Sequence, residues 1–246
     1  MSLAALEDVD LYRRAACGGV ALPLNGAAAV LRCSGALWLT KSRTLVVSDL
    51  HLEKGSAYAS RGQLLPPYDT KDTLDRLEAE LEALSPTTLV LLGDSFHDAR
   101  ATARLDPIQA QRVLRLAAGR ELIWIVGNHD VQDERSALGG LPGDIAETWR
   151  VGPLNLRHEP LAGPAPGEVA GHLHPCAKLV RSGRGLRRRC FLTDGRRLLM
   201  PAFGAYAGGL NVLDTAYAGL FATAPSAAAL GPKRVHLLAL ADLSGD

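Results

Sequence analysis

Five short segments of the chain set histidine beside carboxylate, amide or glycine: Ser48-Asp49-Leu50-His51, Gly93-Asp94-Ser95-Phe96-His97-Asp98, Gly127-Asn128-His129-Asp130, Leu156-Arg157-His158-Glu159-Pro160 and Gly171-His172-Leu173-His174. Asp49 and His51 are two residues apart, as are His172 and His174. In extended backbone that spacing turns both side chains to one face, where they can ligate one ion. One such pair alone reads equally well as a polar surface ladder; five segments in order do not. Carboxylate, amide and imidazole without thiolate suit a hard-to-borderline divalent cation such as manganese, iron or zinc, and two ions need roughly seven or eight ligand atoms. Asp49, His51, Asp94, Asn128, His158, His172 and His174 supply seven side chains, so one carboxylate must bridge. Asp94, placed directly after a strand-like run and Gly93, suits that role.

Such segments need strands that end in one place, because α/β sheets bind ligands beyond the carboxyl ends of their strands. Leu45-Val46-Val47, Leu89-Val90-Leu91-Leu92 and Leu122-Ile123-Trp124-Ile125-Val126 read as buried strands. Between the first two, Leu74, Leu77, Leu81 and Leu84 recur at helical spacing, which predicts a helix with Asp69 and Thr70 as candidate N-caps and a stop before Pro86. Asp106-Pro107 predicts the start of another helix, ended by Gly119. From about residue 145 the strand-like pieces 154–158, 168–171, 177–181, 190–193, 197–200, 210–213 and 234–240 predict a second, largely antiparallel sheet. Residues 160–167 and 222–232 read as surface loops. The pattern is that of one α/β domain over residues 1–246.

With 246 residues, 47% of them hydrophobic and 22% charged, the composition excludes disorder, collagen and coiled coil. No apolar run reaches the length of about 18 residues that a membrane helix needs. Glu7, Asp8 and Asp10 replace the basic start of a secretory signal, so a cytoplasmic location is expected. Cys17, Cys33, Cys176 and Cys190 lack Cys-x-x-Cys spacing, which argues against a disulfide framework or structural zinc and for reduced thiols. The net charge of +1 is unevenly placed, with ten Lys and Arg against three Asp and Glu in residues 150–200. That block is suited to a polyanion.

In order and wording the five segments resemble the blocks D-x-H, G-D, G-N-H-D/E, H and G-H-x-H of the calcineurin-like metallophosphoesterase superfamily, with a motif core over 44–214. More narrowly, SDLHLEKG at 48–55, LLPPYDT at 64–70, LGDSFHD at 92–98, GHLHPCA at 171–177 and LMPAFGAYAGGLNVLD at 199–214 resemble the ligase-associated DNA damage response endonucleases. The resemblance implies a metallophosphoesterase-type sandwich of two mixed β-sheets flanked by helices. It implies two divalent ions, with manganese expected and iron or zinc as alternatives. Asp49, His51 and His174 would hold the first ion and Asn128, His158 and His172 the second, with Asp94 between them. His129 would face the scissile phosphate and Asp130 orient it, for in-line hydrolysis without a covalent enzyme intermediate. DNA is the implied substrate, with association with a DNA ligase, a helicase and an exonuclease.

Phe96, His97 and Asp98 depart from the superfamily's acidic-Arg-Gly turn, so no arginine role transfers; His97 is a candidate for substrate contact or for supporting a ligand. The run 181–189 suggests a basic hairpin in which Arg187, Arg188 and Arg189 grip phosphates, with Arg100, Arg104 and Lys54 as weaker candidates. Tyr68, Phe203 and Tyr206 could stack on bases, although packing is the more ordinary reading. The rival functions are a phosphatase or small-nucleotide phosphodiesterase, which the same cage serves, and a non-catalytic metal-binding scaffold.

Overall fold

The computed structural model describes residues 12–63, 65–126, 138, 140–181 and 183–246, with residue 181 described for its backbone alone. Eight strands form the first sheet in chain order: β1 (Arg13–Arg14), β2 (Val20–Leu24), β3 (Ala27–Leu31), β4 (Leu37–Leu39), β5 (Thr44–Ser48), β6 (Thr88–Leu92), β7 (Glu121–Ile125) and β8 (Asp144–Ala146). β1 to β5 pair antiparallel, whereas β5 to β8 are parallel. The parallel crossovers carry α1 (Lys54–Ala59), α2 (Asp69–Leu84), α3 (Ala101–Arg104) and α4 (Pro107–Arg115).

The second sheet comprises β9 (Thr148–Val151), β10 (Leu154–Arg157), β11 (Glu168–Ala170), β12 (Pro175–Arg181), β13 (Arg184–Thr193), β14 (Leu198–Leu199), β15 (Leu210–Asn211), β16 (Ser226–Leu230) and β17 (Val235–Ala239). It is mixed: β10, β11 and β14 run parallel, as do β12 and β15, and the remaining pairs are antiparallel.

Side-chain alternation explains why β5, β6 and β7 are continuously apolar, as expected when both faces of a parallel strand are covered. Val46, Val90, Leu92, Ile123 and Ile125 turn inward to meet Leu154, Leu156, Val169 and Phe191 of the facing sheet. Leu45, Val47, Leu89, Leu91 and Trp124 turn outward beneath Leu74, Leu77 and Leu81 of α2 and Val113 of α4. The outer face of the second sheet is covered differently. Among the described residues it packs under Tyr217, Leu220, Leu240 and Leu243 from turns and loops, with no α-helix.

Some local expectations are corrected. Ser226–Leu230, expected within a surface loop, is a buried strand between β13 and β17. Its alanines have little intrinsic strand preference, and neighbours on both sides hold them. Asp69 and Thr70 do not cap α2, because Asp69 accepts from the Gly55 N–H and Thr70 is bonded to Glu53. Asp106 does cap α4, accepting from Ile108 and Gln109, but the helix ends at Arg115, before Gly119. No described helix is long and apolar enough to cross a membrane.

Beneath the second sheet lies an ion pair between Arg197 and Glu168, 1% and 3% exposed. Arg197 also donates to the carbonyls of Leu161, Gly163 and Leu220, tying three loops together. Removing one partner strands the other charge out of water, at a typical cost of about 3–5 kcal/mol. Glu168→Ala should therefore lower unfolding free energy by that amount in urea titration, and the double variant Glu168→Leu/Arg197→Met should recover most of the loss.

Candidate metal centre

The described candidate ligands follow the carboxyl ends of four strands: Asp49 and His51 after β5, Asp94 after β6, His158 after β10, and His172 and His174 after β11. Asn128, His129 and Asp130, which follow β7, lie outside the described residues. The convergence of Asp49 with His51 has a different origin from the extended backbone expected. Asp49, His51, Asp94, His172 and His174 all have left-handed backbone, with φ of 53°, 45°, 45°, 68° and 47°. Such residues are uncommon without glycine and collect at functional sites. Here two loops hold each other in place: Asp49 donates through its N–H to the carbonyl of Gly93, His51 to Asp94, Leu52 to Ser95, and His97 back to Leu52.

Asp49, His51, Asp94 and His174 bring ligand atoms within 4.8 Å of one another. His51 and His174 face each other through Nε2 at 3.3 Å, with ring planes 77° apart. A second imidazole pair, His172 Nδ1 and His158 Nε2, stands at 3.2 Å with planes 85° apart. Asp94 lies between the pairs, Oδ2 3.8 Å from His51 and Oδ1 3.5 Å from His158. The His158 Nδ1 is 3.3 Å from the carbonyl of Leu92; a bond there leaves the Nε2 lone pair facing Asp94 and His172. Facing imidazole nitrogens beside carboxylate oxygens make a donor set that suits cations, so these residues fit a metal centre.

The Asp49 carboxylate is wholly buried. Burial alone pushes its pKa up, but the bond to His174, the charges of His174 and His158 and the Ser48 hydroxyl hold it below the ordinary carboxylate value. Burial drives His51 down to about 4 against the pull of Asp49 and Asp94, so it is neutral at pH 7 and able to ligate. For His174 burial also acts downward, but the bond and charge of Asp49 raise it overall.

Glycines admit these contacts. A Cβ at Gly93 would overlap the His158 ring, and one at Gly171 would overlap Ser48 and Asp49. The strap at 202–207 lies within the segment 199–214, but nothing in the spacing joins it to the D-x-H segment some 150 residues away. Phe203 donates its N–H to the Ser48 carbonyl at 2.7 Å and Gly204 to that of Asp49 at 3.0 Å. Arg189 grips this strap, donating to the carbonyls of Ala202, Phe203, Ala205 and Ala207, while Arg76 reaches Phe203 at 2.6 Å and Thr73 receives the Ala205 N–H.

The remaining expected residues are spread around this centre. His97 stacks at a tilt on Tyr58 at 5.9 Å and lies 6.3 Å, ring to ring, from His51. Arg104 is paired with Asp98 and bonded to Ser56. Arg187, Arg188 and Arg189 lie on the β12–β13 hairpin, but Arg187 is paired with Asp246 and Arg189 is committed to the strap. Arg188 is exposed, bonded to its neighbour's carbonyl. Phe203 is buried under Arg76, whereas Tyr68 is exposed and Tyr206 donates to the Pro66 carbonyl.

A model of the calcineurin-like phosphoesterase family matches residues 42–196. The chain belongs to this family. It is an enzyme of the phosphoesterase class, and its His/Asp cluster is of the kind that binds metal in such enzymes. Among solved structures, the nuclease MPE of Pseudomonas putida is similar with a TM-score of 0.66 and 27% identity, over 92% of this chain and 100% of that one. The phosphoesterase YfcE of E. coli is 16% identical over 80% of this chain and 98% of its own, with a TM-score of 0.38. No curated protein sequence matches significantly.

Supporting groups around metal ligands typically tune affinity by about 10- to 100-fold. Gly93→Ala, which displaces His158, should weaken manganese binding by about that factor in dialysis followed by elemental analysis. Gly185→Ala, where a Cβ meets open space, should bind as the unaltered protein does.

Proposed function

We propose that this phosphoesterase is a dinuclear-metal phosphodiesterase that cuts nucleic acid, acting as a DNA endonuclease in repair. The observation that carries the reading is the pair of facing imidazole couples with Asp94 between them, two adjoining nests of donors rather than one. Similarity to the P. putida nuclease over nearly the whole chain favours nucleic acid over small esters. Asp49, His51 and His174 hold one ion, and His158 and His172, with Asn128, hold the other; manganese is our choice for both. When bound, the ions supply Lewis-acid stabilisation of charge on phosphorus and favour ionisation of the attacking water.

The chain's own groups do the rest. By the motif resemblance, His129 would stabilise charge on the scissile phosphate or give a proton to the leaving oxygen, with Asp130 to orient it. Departure of an alkoxide at neutral pH is difficult, and a positioned imidazole contributes typically ~10²–10⁴-fold. His97 stands beside His51, with Tyr58 packed against His97, at the side of the cluster where a substrate group can be met. Association with a DNA ligase, a helicase and an exonuclease belongs to the same reading, by likeness of sequence motifs.

Metal-stripped protein reloaded with manganese should cleave a chromogenic phosphodiester and labelled DNA, with little action on the monoester of the same chromophore. His129→Ala should lower turnover by about 10²–10⁴-fold while two metals stay bound. Monoester preference would make the protein a phosphatase, and loss of metal from the variant would make His129 a ligand.

A further inference from the structure

Behind the strap, on the side away from the metal ligands, an open groove of about 850 Å³ runs between α2 and the β13 strand. Arg76, Arg187, Arg188 and Arg189 line it, with Asp72 and Leu230, and of these arginines Arg187 is already paired with Asp246. Arg76 and Arg189 are half-buried, and among the described residues neither has a carboxylate bonded to it. Both bond carbonyls of the strap, and Arg76 also covers the Phe203 ring at 5.0 Å. Burial and the like charge of Arg189 hold Arg76 below its ordinary pKa, against which exposed Asp72 acts from the same helix. The other acid on this wall, Asp75, is taken up by Lys71 at 2.6 Å and Arg112 at 2.7 Å.

Ala205 of the strap lines the groove, two residues beyond Phe203, whose N–H bonds to the carbonyl of Ser48, the residue before Asp49. Its opposite rim is the turn between β3 and β4, where Gly35 approaches Pro201 and Leu230. A lone phosphate would fill little of such a volume, which is in the range that encloses a whole organic ligand. Carbonyl-bonded guanidiniums along one wall offer charge to an extended polyanion without reading its bases.

We propose that this groove is the path of the polynucleotide strand leading away from the metal centre, with Arg76 and Arg188 contacting backbone phosphates and Arg189 adding charge from the strap. The assignment rests on the nucleic-acid reading above. It narrows the arginine run to Arg188 and Arg189 and adds Arg76 from α2.

The test is fluorescence anisotropy of a labelled single-stranded oligonucleotide across a series of salt concentrations, with calcium replacing manganese so that the strand stays intact. Arg188→Gln and Arg76→Gln should each raise the Kd severalfold and flatten the salt slope by about 0.7 for each phosphate that is no longer neutralised. Arg76→Lys, which keeps the charge, should restore the slope. Should Arg76→Gln melt early, the exposed Arg188→Gln decides. Wild-type protein that binds and cuts DNA, with Arg188→Gln unaltered in affinity and slope, overturns the groove alone. Wild-type protein that hydrolyses small esters but has no affinity for the strand overturns the nucleic-acid reading and the groove with it.

Discussion

The fully buried carboxylate of Asp49 is the constraint from which the rest of the site follows. A charge taken out of water must be met by donors or neutralised. Here the donors come from both sheets: the Ser48 hydroxyl at the end of β5, and the N–H of His172 at 3.2 Å and the ring of His174 at 3.1 Å, both beyond β11. One carboxylate thus ties together the ends of β5 and β11, and closes the sandwich where the ligands emerge. Asp49 raises the pKa of the His174 ring that faces it, and a cation bound among the same groups would meet the same charge.

Holding so many groups around one point has a conformational cost. Five of the six described ligand candidates are in left-handed backbone, each at a cost of order 1–2 kcal/mol for a residue with a Cβ. The loops carry this strain because the strands below them cannot shift. β5, β6 and β7 alternate between the inter-sheet core and the helix-covered core, so each residue of Leu45–Val47 is locked on one side or the other. The glycines at 93 and 171 stand where the loops come closest to His158 and Asp49.

The sequence made the parallel strands legible, because burial on both faces writes an uninterrupted apolar run, and its histidines and aspartates at strand ends pointed to the residues that gather as the candidate cluster of Asp49, His51, Asp94 and His174. It hid what depends on distant contact. β16 is three alanines flanked by Ser226 and Leu230, and it becomes a strand only between β13 and β17. Asp69 carries the chemistry of a cap, but the Gly55 N–H lies within its reach and captures it. Arg189 looked like its neighbours in a basic run, yet its position on the inner face of the hairpin sets it against the carbonyls of the strap. Nothing local distinguishes an arginine that meets solvent from one that meets main chain.

The strap also explains how strong positive charge can sit close to a metal centre without weakening it. A guanidinium among the ligands would repel the cations directly, over a few ångströms and in a medium of low polarizability. At the middle of the strap two successive peptide groups intervene with one orientation. Phe203 turns its N–H to the Ser48 carbonyl and its own carbonyl to Arg76, and Gly204 turns its N–H to Asp49. The carbonyl oxygens of 202, 203, 205 and 207 therefore absorb the guanidinium charge on the groove side. A phosphodiester strand bound there would compensate Arg76 and Arg189 from the open side, while the metals are compensated by Asp49 and Asp94 from within. The two positive centres are thereby separated by a layer of main chain, so that cation binding and strand binding need not compete.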